Sequence, residues 1–324
     1  MSLSLVKSGR SDLAPIGDAA REFLKQQLSA NTLKTHKSGW AQFVKWCQLN
    51  NAPSLPARST TVADFIADRG GAGLRVSTLE SYIAAISTYH RATGADNPAC
   101  TPIVRDVMKG IRRKLGTAQH GKAAILTRDL DRIVHKLNEE GRCMTQRMRD
   151  KAILLLGFAG AFRRSELTAL NVGDVEFAED GMKVTIKRSK TDQIGAAHVQ
   201  GILIGETEMC PVRAVKDWLD KYTPGAADSP LFPRVRRGGN ITTDRLTPAA
   251  VGEIVKHRVM AAGLDPKNYA GHSLRAGFAT QAILNGVPEA IAQGHTRHKS
   301  TAVFRRYVRT GSLFRDNPSG KVGL

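Results

Sequence analysis

The chain has 324 residues, 41% hydrophobic and 24% charged, which excludes a disordered or fibrous protein and leaves room for two hydrophobic cores. Lys and Arg number 48 against 29 Asp and Glu, a formal charge of +19, so a polyanionic partner is expected. The longest apolar stretch, Ala152 to Phe162, is about half a membrane span, and no basic segment followed by an apolar run opens the chain. A cytoplasmic protein with no membrane partner is the expectation.

The positive excess is spread along the sequence. Residues 1–120 hold 16 basic and 8 acidic side chains, and residues 121–324 hold 32 and 21. Two basic folded units closing on nucleic acid fit this better than a detachable tail. Cys47, Cys100, Cys143 and Cys210 are at least 43 residues apart, so no zinc or redox pair is proposed and reduced thiols are expected.

In chain order, residues 1–17 lack periodicity and are expected to form a flexible arm. The spacing of Leu33, Trp40, Phe43, Val44 and Cys47 predicts a helix from about Thr32 to Leu49, with those residues inward and Lys34 and Lys37 outward. A shorter helix after Ser59 buries Val62, Phe65 and Ile66 and stops at Gly70-Gly71. Ser77-Thr78-Leu79-Glu80 has the pattern of a capping box, opening a helix that runs to about Thr93. A helix from about Thr101 to Leu115 turns Ile103, Val104, Val107 and Ile111 inward and presents Lys109, Arg112, Arg113 and Lys114. These elements make a helical unit over 18–115.

Residues 116–123 contain two glycines without periodicity and predict a linker, with a second unit over 124–324. There, Thr127 to Asp129 cap a helical region and the 151–162 stretch is a core helix, apolar nearly all round. Val175 to Phe177 and Met182 to Ile186 flank the Asp180-Gly181 turn, and Val199 to Ile204 supplies a third antiparallel strand. From Pro211 to about Phe314 the pattern is mostly helical, broken by Pro224, Pro230, Pro233, Gly263 and Gly286. The fold class expected is mainly α, with one small antiparallel sheet in the second unit.

Three segments of that unit carry residues suited to holding a phosphate. Arg163 emerges where an apolar helix ends, with Glu166 three residues on; a guanidinium donates paired hydrogen bonds to phosphate oxygens, and a carboxylate can fix its orientation. His272 and Arg275 lie one helical turn apart and can meet one anion. Tyr307 alone of the five tyrosines sits in a run of arginines, downstream of His298. Phenol is a poor nucleophile at neutral pH, so surrounding cations that favour the phenolate are expected. Taken singly, each feature has a structural reading: an ion pair at a helix end, a capping histidine, a packed tyrosine. His295 and His298 have no Asp, Glu or Cys at ligand spacing, so no metal and no cofactor is expected.

Taken together, the ordered set Arg163, Lys190, His272-x-x-Arg275, His298 and Tyr307, with intervals of 3, 23 and 9 residues along its last four members, resembles the tyrosine recombinase (phage integrase) family and its Cre-like members. Asn31-Thr-Leu-Lys-Thr35 and the Trp40 to Asn51 stretch extend the resemblance into the first unit, so that it covers about residues 18–315. It implies an N-terminal helical core-binding (SAM-like) domain and a C-terminal catalytic domain that together clamp duplex DNA. Tyr307 would attack the scissile phosphate to give a 3′-phosphotyrosyl link. Arg163, Arg275, His272 and His298 would stabilise the transition state, Lys190 would protonate the leaving 5′-oxygen, and Glu166 would orient the arginine; Lys183 and Lys187, on the neighbouring strand, are alternatives to Lys190.

For DNA contact the resemblance points to Lys34, Thr35, Lys37, Ser77 and Ser81, with Arg112, Arg113 and Arg245 as further candidates. Each of these could read bases, hold phosphates or belong to a solvated face. The implied partners are double-stranded DNA with inverted-repeat core sites, further copies in a tetramer joined through a Holliday junction, and an accessory DNA-binding protein. A tail containing Leu313 and Phe314 is expected to dock on the next subunit. The alternatives are a non-catalytic architectural or regulatory DNA-binding protein, and a type IB topoisomerase.

Overall fold

A computed structural model of the chain describes residues 28–116, 121–139, 141, 143–187, 197–222 and 226–311. The flexible arm, Lys190 and the Leu313-Phe314 tail fall outside the described residues. The chain divides into two compact units, at His120 and Gly121.

The first unit contains four α-helices among its described residues: α1 (Ala30–Leu49), α2 (Ser59–Gly71), α3 (Val76–Ala92) and α4 (Pro102–Leu115). Ser29 caps α1, its hydroxyl accepting the Thr32 N–H at 3.2 Å. Phe43 and Cys47 of α1, Val62, Phe65 and Ile66 of α2, Leu79 and Ile86 of α3, and Val104 and Met108 of α4 form one core. Trp40 stacks on Tyr89 with ring centroids 4.5 Å apart, which fixes α1 against α3. Buried His90 accepts the Ala57 N–H on Nε2 at 3.0 Å and donates from Nδ1 to the Ile86 carbonyl at 2.9 Å, so its polarity is satisfied within the unit.

Three local expectations are corrected here. No capping box forms at Ser77: α3 already begins at Val76, its cap residue Arg75 makes no side-chain bond, and Glu80 reaches across to Arg112 at 2.8 Å. A tertiary ion pair outcompeted the local cap. Leu33 and Ile103 are 45% and 42% exposed, because each lies in the first turn of its helix, beyond the reach of the core.

The second unit is built around α6 (Met144–Ala159), whose Ile153, Leu154, Leu155 and Leu156 are all buried. Around it lie α5 (Thr127–Glu139), α8 (Pro211–Tyr222), α9 (Pro248–Ala261) and α10 (Ser273–Leu284), with the short α7 (Arg164–Ala169) following α6. Gly277 of α10 allows a close approach: a Cβ there would lie 1.8 Å from the Ile125 carbonyl oxygen. Strands β1 (Val175–Ala178), β2 (Gly181–Ile186) and β3 (His198–Leu203) form the expected antiparallel sheet, with Val175 opposite Val184 and Ile186 opposite His198. The region after Pro211 is not helical throughout: β4 (Pro233–Val235) and β5 (Ile241–Arg245) pair as a second hairpin, with a register irregularity between Pro233 and Val235. Prolines and arginines there hide the alternation by which a short strand is recognised.

Helices α11 (Glu289–Thr296) and α12 (Thr301–Gly311) close the unit. Fully buried Phe304 packs α12 onto Ala279, Ala282 and Ile283 of α10 and Ala292 of α11, with Tyr307 against the same cluster. An aromatic anchor one turn before the tyrosine thus sets where its hydroxyl lies. Among the described residues, no helix is long and apolar enough to cross a membrane.

Candidate functional site

The turn after α6 supplies the first group. Arg163 is the cap residue of α7, and its Nη1 donates to Glu166 Oε1 at 2.5 Å while its backbone N–H donates to Glu166 Oε2 at 2.9 Å. The Glu166 side chain is 1% exposed. Burial works against its charge, yet the Arg163 N–H and the Arg297 and Arg163 guanidiniums prevail and lower its pKa. It is therefore an anion at neutral pH, fixed between cations.

Helix α10 supplies the second group. His272 is its cap residue, and Arg275, one turn in, is 1% exposed. Arg275 Nη1 donates to the Ala161 carbonyl at 2.6 Å, whereas Nη2 is buried with no hydrogen-bond partner. A buried guanidinium with an unused donor has an unmet demand for an acceptor. Burial and the nearby Arg163 charge lower the Arg275 pKa to about 9, so it remains a cation at neutral pH.

The third group comes from the α11–α12 connection and α12. The Tyr307 hydroxyl and His272 Nε2 are hydrogen-bonded at 2.9 Å. The His298 ring lies 5.5 Å from the Tyr307 ring, centroid to centroid, and its Nδ1 bonds the buried Thr296 hydroxyl at 2.7 Å. Burial first, then the charges of Arg275 and Arg163, push the His298 pKa down to about 3, so the imidazole is neutral at pH 7. The Arg275 and Arg306 charges do favour the Tyr307 phenolate, but burial is the larger effect and leaves its pKa raised. The free protein holds a phenol, not a phenolate, and ionising it requires a base.

Arg163, Glu166, His272, Arg275, His298 and Tyr307 all belong to this one cluster of the second unit. The two alternatives to Lys190 are both in ion pairs, Lys183 with Glu176 at 3.0 Å and Lys187 with Asp174 at 2.6 Å. Two residues of the cluster were missed by sequence reasoning. Arg297 contacts Glu166, and Gln200 of β3 bonds Arg297 through Oε1 and His295 Nδ1 through Nε2. A polar residue at an inward strand position could have flagged Gln200; nothing in the sequence singled out Arg297 from its basic neighbours.

The DNA-contact candidates are spread over both units. Lys34, Thr35 and Lys37 are exposed on α1, Ser77 and half-buried Ser81 lie on α3, and Arg112 and Arg113 are exposed near the end of α4. Arg245 of β5 is differently used. Its Nη1 donates to the Thr168 and Leu170 carbonyls at 2.9 and 2.8 Å and its Nη2 to Asn171 Oδ1 at 2.6 Å, so it closes the C-terminal end of α7. Among the described residues no group of three His, Cys, Asp or Glu could hold a metal ion.

Comparison with known proteins adds to this geometry. Residues 124–312 match the Phage integrase family. The chain is 38% identical over 309 residues to the integrase/recombinase XerD homolog of Selenomonas ruminantium, a match covering 94% of this chain and 88% of that one. Among solved structures, the Tn1549 transposon integrase in complex with transposon right end DNA is similar with a TM-score of 0.62 at 15% identity, over 89% of this chain and 92% of that one. XerH site-specific recombinase bound to palindromic difH substrate, in a post-cleavage complex, gives 0.61 at 18% identity, over 82% and 72%. The two solved structures share the fold. A family match over most of the second unit, and a relative this similar along nearly the whole chain, place the protein in the phage integrase family, the tyrosine recombinases, enzymes of site-specific recombination that cleave and rejoin DNA through a phosphotyrosine intermediate.

Proposed function

We propose that this recombinase exchanges strands between two DNA core sites with Tyr307 as nucleophile, and that the exchange is a Cre-like resolution or simple recombination. The observation that carries the assignment is the 2.9 Å hydrogen bond between the Tyr307 hydroxyl and His272 Nε2, beside an Arg275 guanidinium with a buried unused donor. His272 Nε2 takes the phenolic proton as the Tyr307 oxygen bonds to phosphorus. The bond from phosphorus to the 5′-oxygen breaks, leaving a 3′-phosphotyrosyl ester and a 5′-hydroxyl. By family resemblance Lys190 delivers the proton to that oxygen. Arg163 and Arg275 meet the charge on the non-bridging oxygens, with His298 packed beside Tyr307; groups fixed in advance need no reorganisation in the transition state. Attack of a partner strand's 5′-hydroxyl on the ester reverses the chemistry without external energy.

The related integrase and XerH are bound to DNA in their solved structures, which supports duplex DNA as the partner here. Four copies on two inverted-repeat core sites, a Holliday junction, an accessory protein and action at the nucleoid complete the reading. Lys34, Thr35, Lys37, Ser77, Ser81, Arg112, Arg113 and Arg245 would contact the core site. Docking of the C-terminal tail on the next copy has a candidate acceptor in an apolar cavity of about 490 Å³ lined by Leu155, Phe158, Ile202, Leu203, Met209 and Phe278.

The test uses a duplex selected by the wild-type protein from a random-sequence pool, nicked near the cleavage point so that the ester is trapped. Wild type should give a covalent adduct on a denaturing gel and Tyr307→Phe none; an adduct with the phenylalanine variant would remove Tyr307 as nucleophile. Relaxation of supercoiled DNA lacking that selected sequence would favour a topoisomerase instead.

A further inference from the structure

Arg297 caps the C-terminal end of α11, between His295 of that helix and His298 of the connection, with φ 56° and ψ 40°. Left-handed backbone is uncommon for a residue with a Cβ and free of penalty for glycine, so an arginine held there is an outlier that asks what its side chain does. The side chain is 10% exposed and lies over the Phe162 ring, 5.2 Å from its centroid. Nη2 donates to Glu166 Oε2 at 3.2 Å and to the Gly160 and Ala161 carbonyls at 3.1 and 3.2 Å. Nη1 donates to the nearby carbonyl of His295 at 3.0 Å, and to Gln200 Oε1.

Those acceptors come from three segments: the 160–166 stretch, β3 and the end of α11. Glu166 is the carboxylate that holds Arg163, and the Ala161 carbonyl is also the acceptor of Arg275 Nη1. Gln200 sits on β3. The reversal of the chain at Arg297 itself turns His298 toward Tyr307. Without the Arg297 guanidinium, Glu166 Oε2 would depend on the Arg163 N–H, and the segment bearing His298 would be left with the bond of His295 Nε2 to the Ala159 carbonyl, at 2.7 Å, as its hydrogen-bond tie to the turn before Arg163.

We propose that Arg297 is a positioning residue: by sharing Glu166 with Arg163 and the Ala161 carbonyl with Arg275, it holds both phosphate-facing guanidiniums and the His298 turn in their reactive arrangement. The inference rests on the assignment of Arg163 and Arg275 to the scissile phosphate.

The full-length protein, as wild type, Arg297→Gly and Arg297→Lys, is assayed in single turnover on the nicked, selected duplex, with either a normal or a methylphosphonate linkage at the cleavage point. Glycine removes the side chain while favouring the backbone; lysine keeps charge and bulk but lacks the planar fork. Cleavage at the normal phosphate should fall about 10- to 100-fold in both variants, the usual range for groups that orient reacting ones. On the neutral methylphosphonate, which makes less demand on aimed cations, the loss should shrink to within about threefold, a contrast that merely structural damage would not produce. Rates within about threefold of wild type on the phosphate, or equal losses on both linkages, would overturn the proposal. Should Arg297→Gly fail to fold, Arg297→Lys decides alone. If wild type makes no adduct, or Tyr307→Phe makes one, the active-site assignment has failed instead, before Arg297 is compared.

Discussion

The two units use the same basic residue types in opposite ways. In the second unit Arg163, Arg275 and Arg297 are largely buried, and their guanidiniums are tied to Glu166 and to the carbonyls of 160 and 161. In the first unit Lys34, Lys37 and Arg113 stand in solvent, and Arg112 has one exposed ion pair with Glu80. A fixed, desolvated cation acts strongly on a charge placed at one point, because protein rather than water surrounds it. A solvated cation acts weakly, is screened by salt, and tolerates any arrangement of phosphates nearby. On the proposed function, burial divides these cations into chemistry and grip.

The sharpest way to break that division is at a buried cation. Arg275→Lys retains the charge but loses the fork, and the single-turnover cleavage rate should fall by about 10²- to 10³-fold while affinity for the selected duplex changes little. A comparable loss of affinity would show that Arg275 grips rather than catalyses. The exposed set should respond in the reverse sense. Replacing Lys34 and Lys37 together by Ala should weaken duplex binding and flatten the slope of log affinity against log salt by about 1 for each phosphate no longer touched. An unchanged slope would remove α1 from the interface.

A smaller effect follows from protonation. His298 binds a proton in the folded state only near pH 3, against an ordinary value of 6.5, so between those limits the unfolded chain takes up more protons than the folded one. Its contribution to stability is whole above pH 6.5 and shrinks as the pH falls toward 3. The lowered pKa of Glu166 has the same sign at the acid end, since protonating it costs the folded state an anion between cations. Melting temperature should decline through this window, and His298→Asn should flatten the upper part of the decline; an unaltered profile would mean the imidazole is not held neutral. Smallest of all, removing the exposed Arg112–Glu80 pair with Glu80→Gln should change unfolding free energy by about 0–1 kcal/mol in a denaturant titration.

Much of the site was legible in the linear chain, because Arg163, His272, Arg275, His298 and Tyr307 are spaced in a pattern that survives there. The ion pair of Arg163 with Glu166 could also be read, since residues three apart at a helix start meet in space. Arg297 and Gln200 could not. They are 97 residues apart, and the value of each depends on the other being buried beside Glu166. The capping box at Ser77 failed for a related reason: Glu80 had a partner 32 residues away that no local rule could supply.

The amino-acid order thus determined helices and strands wherever hydrophobic periodicity was strong, the basic character of both units and the candidates for the reacting groups. Those properties are set by a few residues close together, or by composition. Tertiary structure decided which cations lose their water, that Tyr307 is a half-buried phenol bonded to His272, and that Arg245 binds the carbonyls at the end of α7. Desolvation and hydrogen-bond partnership are properties of a three-dimensional neighbourhood, assembled here from segments more than a hundred residues apart, and so no stretch of sequence contains them.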